Sequence, residues 1–396
     1  VIEIDLRRID GTAFSPLLRG RPRVSLRLSD ETEASGRRFS AMVKSPRAKG
    51  PRTVTRATIN DVAREANVAI KTVSRVLNNE ANVRPATRER VLHAIKALNY
   101  SPNLAARGLA GSKSFLIGLL YDNPSPHYMN GVQIGALARC RAEGFHLLVE
   151  VCTPETKNVT QQILTMIAQT RVDGVILTPP VSDNEAVLEA LRRDGMPYVA
   201  IAPPKLSDVP LCVHMDDLRA AYDMTTYLLK LGHRRIGFIK GHPQHGAASL
   251  RYNGYREALS DHGIKFERTL VKQGYFSFES GVDCANALLQ GPGLPTAIFA
   301  ANDDMAAGAM AVAHQRGLSI PGDLSIAGFD DTPVASLTWP GLTTIRQPIV
   351  EMAAGAADLL LATIKERHHA GTPAVALARR FQHEIVLRAS TAVPRT

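Results

Sequence analysis

The residues from 58 to 78, T-I-N-D-V-A-R-E-A-N-V-A-I-K-T-V-S-R-V-L-N, constrain the fold more than any other part of the chain. They contain two short segments whose apolar residues recur at helical spacing. The segments are joined by a tight turn at Asn67, a residue type that tolerates left-handed backbone geometry. Two helices joined in this way can lay the second helix in the major groove of DNA. The stretch therefore predicts a helix-turn-helix unit that binds DNA.

Individual residues set the ends and faces of these helices. Thr58 followed by Asp61 predicts a capping box, because a Thr hydroxyl can accept from a free amide and an acid is favoured in the first turn. The second helix is expected from about Ala69 to Asn78, and a third is expected to begin at Pro85, which suits the first helical position. On the second helix the inward-facing residues are Val73, Val76 and Leu77, and the outward-facing ones are Ile70, Lys71 and Arg75.

The charge of the chain is concentrated near this unit. Residues 1–115 hold 22 Lys and Arg against 10 Asp and Glu, whereas residues 116–396 hold 25 against 27. A basic segment of this kind is typical of a nucleic-acid-binding region attached to a near-neutral body. Residues 1–55 show no sustained periodicity, so we expect a disordered basic tail without a specific role.

Composition and motifs argue against several classes of protein. Four scattered cysteines without a C-x-x-C pair indicate buried thiols in a reducing cytoplasm and no zinc site. No apolar run approaches the roughly 18 residues that span a bilayer, and the first residues lack the apolar stretch of a signal peptide. Glycine-rich phosphate loops, H-E-x-x-H and G-x-S-x-G are all missing from the sequence. We therefore expect neither an enzyme nor a membrane protein, and no metal or cofactor.

Three motifs follow in order from residue 72, T-V-S-R-V-L-N, T-R-E-R-V and L-N-Y-S-P-N-L-A-A-R-G-L-A-G. With them, the chain resembles the LacI/GalR family of bacterial transcription repressors over residues 58 to about 390. The resemblance implies a helix-turn-helix domain at residues 56–102 and a hinge at residues 103–114. It implies an effector-binding and dimerisation domain at residues 115–396.

The resemblance also assigns DNA contacts to the second helix and the hinge. Arg and Lys suit the acceptor edge of guanine, whereas Ile offers only an apolar contact, for example to a thymine methyl. Leu109 matches the family's wedge residue, which unstacks a central base step from the minor groove. Base reading falls to Ile70, Lys71 and Arg75, phosphate contacts to Thr72, Ser74 and Asn78, and hinge contacts to Asn103, Ala106 and Arg107, with Thr58 at the start of the first helix.

Two residues depart from the family's usual pattern. The turn has Asn67 where Gly is usual, and Asn can adopt the same conformation. The recognition helix starts at Ala69 where Ser is usual, which removes a cap worth about 1 kcal/mol and a phosphate contact. We therefore expect somewhat weaker and more salt-sensitive DNA binding. In the hinge, Gly108 lowers helix stability by about 1 kcal/mol relative to Ala. A small change in free energy therefore decides whether the hinge helix forms.

Beyond Ser114, apolar strands alternate with helical patterns. Continuous apolar strands separated by helices indicate parallel sheets that are covered on both faces, and the repetition of the scheme indicates two similar lobes. The resemblance names the arrangement as a type I periplasmic-binding-protein-like α/β fold with three crossovers between lobes. The predicted strands lie at residues 115–121, 146–151, 174–178, 198–201, 236–240, 297–301 and 325–330.

Polar residues beyond the strand ends are the candidate effector ligands, because ligands of open α/β sheets bind there. Arg251, in A-S-L-R-Y-N-G-Y, and Asp330, after S-I-A-G-F, match the family's effector-binding Arg and Asp. An Arg with carboxylates and amides suits a ligand with many hydroxyls. The alternative is that Asp303 or Asp330 caps the next helix. The other candidates are Tyr121, Asp122, Asn123, His127, Tyr128, Asn302 and Asp303.

Three functions remain open on these residues. A sugar-responsive repressor accounts for the reading helix, the hinge and the pocket. A purine-dependent, corepressor-type regulator shares the same motifs and would use aromatic stacking by Tyr121, Tyr128 and Phe276 or Phe278. A solute-binding protein accounts only for the body. Trp339 lies in a turn, so packing or subunit contact is favoured over stacking on a sugar.

The preferred hypothesis is a homodimer that binds a pseudo-palindromic double-stranded operator. A tetramer is the alternative. Effector binding between the lobes would change their angle, separate the paired hinges and melt their helices. A ligand can do this only if its affinity differs between the two lobe arrangements.

Overall fold

The computed structural model describes residues 57–77, 80, 82–100, 113–152, 158–206, 209–291, 293–367 and 377–395. The first residues form three helices, α1 (Ile59–Glu65), α2 (Ile70–Leu77) and α3 (Pro85–Ala97). Asn67, in the turn between α1 and α2, takes the left-handed φ of 48° that the sequence predicts. The helix-turn-helix is confirmed, and its core is Val62, Ala63, Ala66, Val73, Val76, Val91 and Ala94.

Strands and helices then alternate along the rest of the described chain. The first group is β1 (Leu116–Tyr121), α4 (Pro126–Ala142), β2 (His146–Val151), α5 (Val159–Thr170), β3 (Gly174–Leu177), a 3-10 turn at Val181–Asp183, α6 (Glu185–Arg193), β4 (Tyr198–Ile201) and β5 (Leu211–His214). The second is α7 (Asp217–Lys230), β6 (Ile236–Lys240), α8 (Gly246–Asp261), a 3-10 turn at Arg268–Leu270, β7 (Val271–Gln273), α9 (Phe278–Leu288), β8 (Ala297–Ala300), α10 (Asp303–Gln315), β9 (Ser325–Asp330), α11 (Pro333–Leu337) and β10 (Thr343–Arg346). The last is α12 (Ile349–Arg367), β11 (Leu377–Arg380) and β12 (Glu384–Val386).

These elements form two lobes, each built on a six-stranded sheet. In the first lobe the strand order is β11-β5-β4-β3-β1-β2, and the paired strands are parallel. In the second lobe the order is β12-β10-β9-β8-β6-β7, with β12 antiparallel and the other pairs parallel. The predicted two-lobed α/β fold is confirmed.

The chain crosses between the lobes three times, as the resemblance implies. The first crossover joins β5 to α7, the second joins β10 to α12, and the third joins β11 to β12. Because each crossing is short, the two lobes can change their angle only about these connections. Residues that touch the crossovers can therefore influence that angle.

Buried apolar residues explain which segments form the central strands. Every residue of β3, β4 and β8 is buried, as expected for strands covered by helices on both faces. All seven predicted strands are present, with ends within one residue of those predicted. β5, β7, β10, β11 and β12 were not predicted. Within the described residues, no helix is long and apolar enough to cross a membrane.

Candidate functional site

The helix α2 presents one face to its core and the other to solvent. Val73 is fully buried, whereas Ile70 is 50% exposed. Lys71 is exposed and Thr72 and Ser74 are partly exposed. The outer face of α2 thus carries a cationic donor and hydroxyls, which suit phosphates and base edges, and an apolar side chain, which suits a thymine methyl. The contacts of these residues with DNA stay a prediction.

Arg75, on the same helix, is held by a neighbouring acid. Its Nε lies 3.5 Å from a carboxylate oxygen of Glu80, and both side chains are about half exposed. The backbone carbonyl of Glu80 accepts a 2.5 Å hydrogen bond from Arg88 Nη2, which anchors Glu80 to α3. An exposed ion pair contributes at most about 1 kcal/mol. Arg75 can therefore exchange its contact with Glu80 for a contact with a guanine edge at little cost in free energy.

The capping box at the start of α1 is confirmed. The Asp61 carboxylate accepts hydrogen bonds from the Thr58 hydroxyl at 2.7 Å and from the Thr58 backbone N–H at 2.9 Å. These bonds lower the pKa of Asp61. Thr58 therefore orders the start of the helix, and its DNA contact stays a prediction.

Further predicted DNA-contacting residues lie outside the described residues, namely Asn78, Asn103, Ala106, Arg107 and Leu109.

A cavity lies between the two lobes, where strands of both sheets have their carboxyl ends. Five predicted effector residues line it, and they come from both lobes. The cavity is lined by Asn123, Ser125, Tyr128, Pro179, Ala202, His245, Ala247, Arg251, Phe276, Asn302, Asp330 and Gln347. The sequence thus predicts both the place of the cavity and its main charged groups.

Arg251 is the central cation of this cavity and is only 5% exposed. Its Nε donates to Asp217 at 2.8 Å, and its Nη2 donates to the Gln347 side-chain oxygen at 3.2 Å. Its Nη1 donates to the Ala301 carbonyl at 2.6 Å and lies 3.5 Å from Asp330 Oδ1. Burial opposes the charged guanidinium, but the two carboxylates outweigh it and raise the pKa of Arg251.

The partners of Arg251 connect the cavity to the crossovers. Asp217 begins α7 directly after the first crossover, and Gln347 lies in the second. The Phe329 ring centroid lies 3.6 Å from Cζ of the guanidinium, which is within the range of a cation–π contact. One buried side chain therefore lines the cavity and also contacts residues in or next to two of the three connections between the lobes.

Three cavity residues other than glycine have a left-handed backbone. Asp330 has φ of 111°, Phe276 has 63° and Ala202 has 49°. Such conformations cost free energy in residues with a Cβ, and they occur often at functional sites. Burial also raises the pKa of Asp330 well above its usual value, with the Arg251 cation opposing this shift. The conformation of Asp330 is therefore maintained by its surroundings.

Asp303 does not line the cavity, although Asn302 beside it does. Its buried carboxylate accepts hydrogen bonds from Thr332 N at 2.8 Å and from Thr344 Oγ1 at 2.6 Å, and burial raises its pKa to about 7. It thus ties the turn after β9 to β10. The cap of α10 is Asn302, whose side chain accepts from Met305 N, so Asp303 is not the N-cap either.

The other predicted effector residues also lie outside this lining. Tyr121 packs against the main hydrophobic core. Asp122 lines a second cavity of about 360 Å³ beside Asp183. His127 lies with Nδ1 3.2 Å from the carboxylate of Asp304. Direct effector contact by these residues is therefore less well supported than contact by the residues of the lining.

His245 and Phe276 are cavity residues that the strand-end argument missed or left uncertain. His245 is 3% exposed, and its ring centroid lies 5.2 Å from that of Phe276. Burial, followed by the nearby His242 and Arg251, lowers the pKa of His245 to about 3. The imidazole is therefore neutral and offers one donor and one acceptor.

The Trp339 side chain is 86% exposed, and that of Leu337, two residues before it, is 81% exposed. Packing within the described chain is therefore excluded for Trp339, and the subunit contact remains. Among the described residues, no group of His, Cys, Asp or Glu is arranged to hold a metal ion.

Comparisons with known proteins cover both parts of the chain. A family model for bacterial regulatory proteins of the lacI family matches residues 58–103, and a periplasmic binding protein-like domain matches residues 225–391. The HTH-type transcriptional regulator DegA of Bacillus subtilis is 34% identical over 334 residues, which are 84% of this chain and 95% of DegA. The HTH-type transcriptional repressor CytR of Escherichia coli is 32% identical over 344 residues, 87% of this chain and 98% of CytR.

Solved structures agree with these relatives. The Lac repressor dimer bound to operator and the anti-inducer ONPF superposes with a TM-score of 0.71 at 28% identity, covering 85% of this chain and 99% of the repressor chain. The complex of the transcriptional regulator CelR with cellobiose has a TM-score of 0.63 at 30% identity, covering 85% and 100%.

Proposed function

Because the chain belongs to the LacI family of bacterial regulatory proteins, we propose that it represses transcription from a pseudo-palindromic operator under the control of a small effector bound between its lobes. Its relatives are transcriptional regulators, and we propose no catalytic activity. We propose that it acts in the bacterial cytoplasm, because a repressor has to reach its operator DNA. The observation that carries the proposal is that Arg251 faces the cavity and also binds Asp217, next to the first crossover, and Gln347, within the second.

The preferred effector is a sugar. Sugar hydroxyls both donate and accept, and the cavity wall offers acceptors, donors and a neutral imidazole for them. These groups are the Asp330 carboxylate, the amides of Asn302 and Gln347, and His245. Phe276 gives an apolar surface on which a sugar ring can lie. CelR with cellobiose, which this chain resembles, supports the same ligand class.

A purine or nucleoside effector is the second candidate. The observation that favours it is the pair of aromatic side chains in the lining, Tyr128 and Phe276. Burial raises the pKa of Tyr128, so its phenol stays protonated and neutral. A flat heterocycle would gain from stacking on either ring. The two effector classes share the site and differ only in what they contact.

We propose that the regulator is a homodimer, since an operator with two half-sites matches a protein with two-fold symmetry. Exposed apolar side chains occur on both lobes, and a second copy would cover them. On the first lobe they include Ile134 and Val151, which are 51% and 50% exposed, and on the second Leu337 and Trp339. Sedimentation of Trp339→Ser against wild type would detect weakened association.

Thermal unfolding in the presence of single compounds tests the effector proposal. The compounds are neutral mono- and disaccharides, purine bases and nucleosides. A ligand at 100 times its dissociation constant raises the free energy of unfolding by about 2.7 kcal/mol. We expect a sugar to raise the melting temperature of wild type and to leave Asp330→Ala unchanged. Asp283→Ala, which removes an exposed carboxylate of α9 outside the cavity, is the matched control and should respond as wild type does. A response to nucleosides alone would favour the second candidate.

A further inference from the structure

Asp304 joins the two lobes beside the cavity without lining it. Its Oδ2 accepts a 2.5 Å hydrogen bond from Ser125 Oγ, and its Oδ1 lies 3.2 Å from His127 Nδ1. Ser125 and His127 belong to the start of α4 in the first lobe, whereas Asp304 lies in the first turn of α10 in the second. These bonds therefore exist only while the lobes are closed.

The carboxylate of Asp304 lies at two helix N-termini, one from each lobe. Ser125 is the N-cap of α4, and its oxygen also accepts from Tyr128 N at 3.3 Å. Helix N-termini favour nearby negative charge, because several backbone N–H groups there lack helical partners. The Asp304 side chain is 11% exposed, so solvent screens these interactions little. Opening the lobes removes one of the two helix ends from the carboxylate.

Two residues that bind Asp304 also line the cavity. Ser125 is one, and Asn302 is the other, since its Nδ2 lies 3.3 Å from Asp304 Oδ2 and also donates to the Phe276 carbonyl. A ligand that hydrogen-bonds Ser125 or Asn302 therefore competes with Asp304 or realigns its partners. The Asp304 carboxylate itself is not part of the cavity lining.

We propose that Asp304 is a positioning residue of the regulatory response: it fastens the lobes through Ser125 and His127, and an effector in the cavity alters this fastening through Ser125 and Asn302. The proposal rests on the proposed effector cavity for its second half. Its first half, the fastening of the lobes, needs neither an effector nor DNA. The two halves are therefore testable separately.

The distance between the lobes is the direct readout. Spin labels on Ala186→Cys in α6 and Ser249→Cys in α8 report it, because both positions are exposed and lie on different lobes. The four native cysteines are buried. Burial raises the pKa of Cys140 and Cys284 to about 11 and also raises the pKa of Cys152 and Cys212, so these thiols react slowly at neutral pH.

Pulsed electron paramagnetic resonance then compares full-length variants without DNA or effector. We expect Asp304→Ala to lower the ratio of closed to open lobes about tenfold, since it removes the charge-assisted hydrogen bond from Ser125 and the contact with His127. Asp304→Asn keeps the size and one acceptor, so its effect should be smaller. The matched control is Glu279→Ala, an exposed first-turn acid of α9, which should give the wild-type distance distribution.

The outcomes separate fastening from a merely structural role. An unchanged distance distribution in folded Asp304→Asn and Asp304→Ala, whatever their melting temperatures, would overturn the proposal. A shift in the distribution accompanied by at least a tenfold change in affinity for operator DNA selected in vitro would support a regulatory role of the fastening, and a shift with unchanged affinity would overturn that role. The effector half is tested by repeating the distance measurement with a compound found by thermal unfolding. A change in wild type that is smaller in Asp304→Ala would support this half, and equal changes in the two proteins would overturn it. A protein that binds no DNA at all would contradict the proposed function and leave the distance result standing.

Discussion

The outer face of α2 and the inter-lobe cavity both contain cations, but those on α2 are exposed and the one in the cavity is buried. Lys71 is exposed and Arg75 is 43% exposed, whereas Arg251 is 5% exposed and hydrogen-bonded on every side. Exposed charges are screened by salt and contribute little to folding. Buried charges need partners, so the free energy of folding depends on them. The difference teaches that substitutions on the outer face of α2 should cost little free energy of folding, whereas substitutions of the buried cavity charges should destabilise the protein.

The largest expected effect is on Arg251. Arg251→Ala leaves the Asp217 and Asp330 carboxylates buried without their cation, and breaking a buried pair in this way costs about 3–5 kcal/mol. Urea unfolding of wild type and variant measures the difference. A loss below 1 kcal/mol would break the comparison, because it would mean that the cavity charges are as loosely held as those on α2.

Next comes the pH dependence caused by His245. Its pKa is lowered to about 3 in the folded protein, against roughly 6.5 in an unfolded chain. Its stabilising contribution is therefore complete above pH 6.5 and is lost as the pH falls towards 3. Between pH 7.5 and pH 5 the loss is about 2 kcal/mol.

Comparison with His245→Gln isolates this effect. The free energy of unfolding of wild type, measured relative to that of the variant, should fall by about 2 kcal/mol over the same pH range. Asp303, with a pKa raised to about 7, acts in the opposite sense, since its contribution is lost as the pH rises through 7, and it is present in both proteins. Parallel pH curves would show that His245 is solvated.

A smaller effect is expected at the start of α2. The carbonyl of Ala69 accepts from Thr72 N at 2.8 Å, so Ala69 occupies the cap position without a capping side chain. Ala69→Ser should raise the stability of the helix-turn-helix by about 1 kcal/mol. Hydrogen exchange of the α2 amides measures this change locally. Unchanged protection would mean that water or neighbouring groups already satisfy these amides.

The smallest effect on folding is expected at Lys71. Lys71→Ala should change the free energy of unfolding by less than about 0.5 kcal/mol, since no packing or buried pair is lost. It should weaken DNA binding and, if Lys71 contacts phosphate, reduce the salt slope of binding by about one. A marked loss of stability would show that the outer face of α2 also contributes to the free energy of folding, so that it differs less from the cavity.

Prediction from the sequence works differently in the two regions for a physical reason. Helices α1 to α3 follow from local periodicity and capping residues such as Thr58 and Asp61. The cavity instead combines side chains from eight separate segments between Asn123 and Gln347, and their orientation depends on how each chain segment leaves its strand. Asn302 faces the cavity while Asp303 beside it faces β10, which the strand-end rule cannot distinguish.

The residues that were missed show what further information was needed. Gln347 directly follows β10, so the strand-end rule would have found it had that four-residue strand been predicted. β7 has only three residues, none fully buried, and no apolar run marks it. The left-handed φ of Phe276 and the pairing of Asp304 with Ser125 arise from contacts between distant segments, and local sequence does not encode them.

The most direct test of the account is operator binding with and without a sugar found by thermal unfolding. Fluorescence anisotropy would measure the affinity of wild type and Asp330→Ala for a pseudo-palindromic DNA selected in vitro. The account predicts that the sugar changes the affinity of wild type at least fivefold, the range of ordinary allosteric coupling, and leaves that of Asp330→Ala unchanged. Equal affinities of wild type with and without a saturating sugar would contradict it.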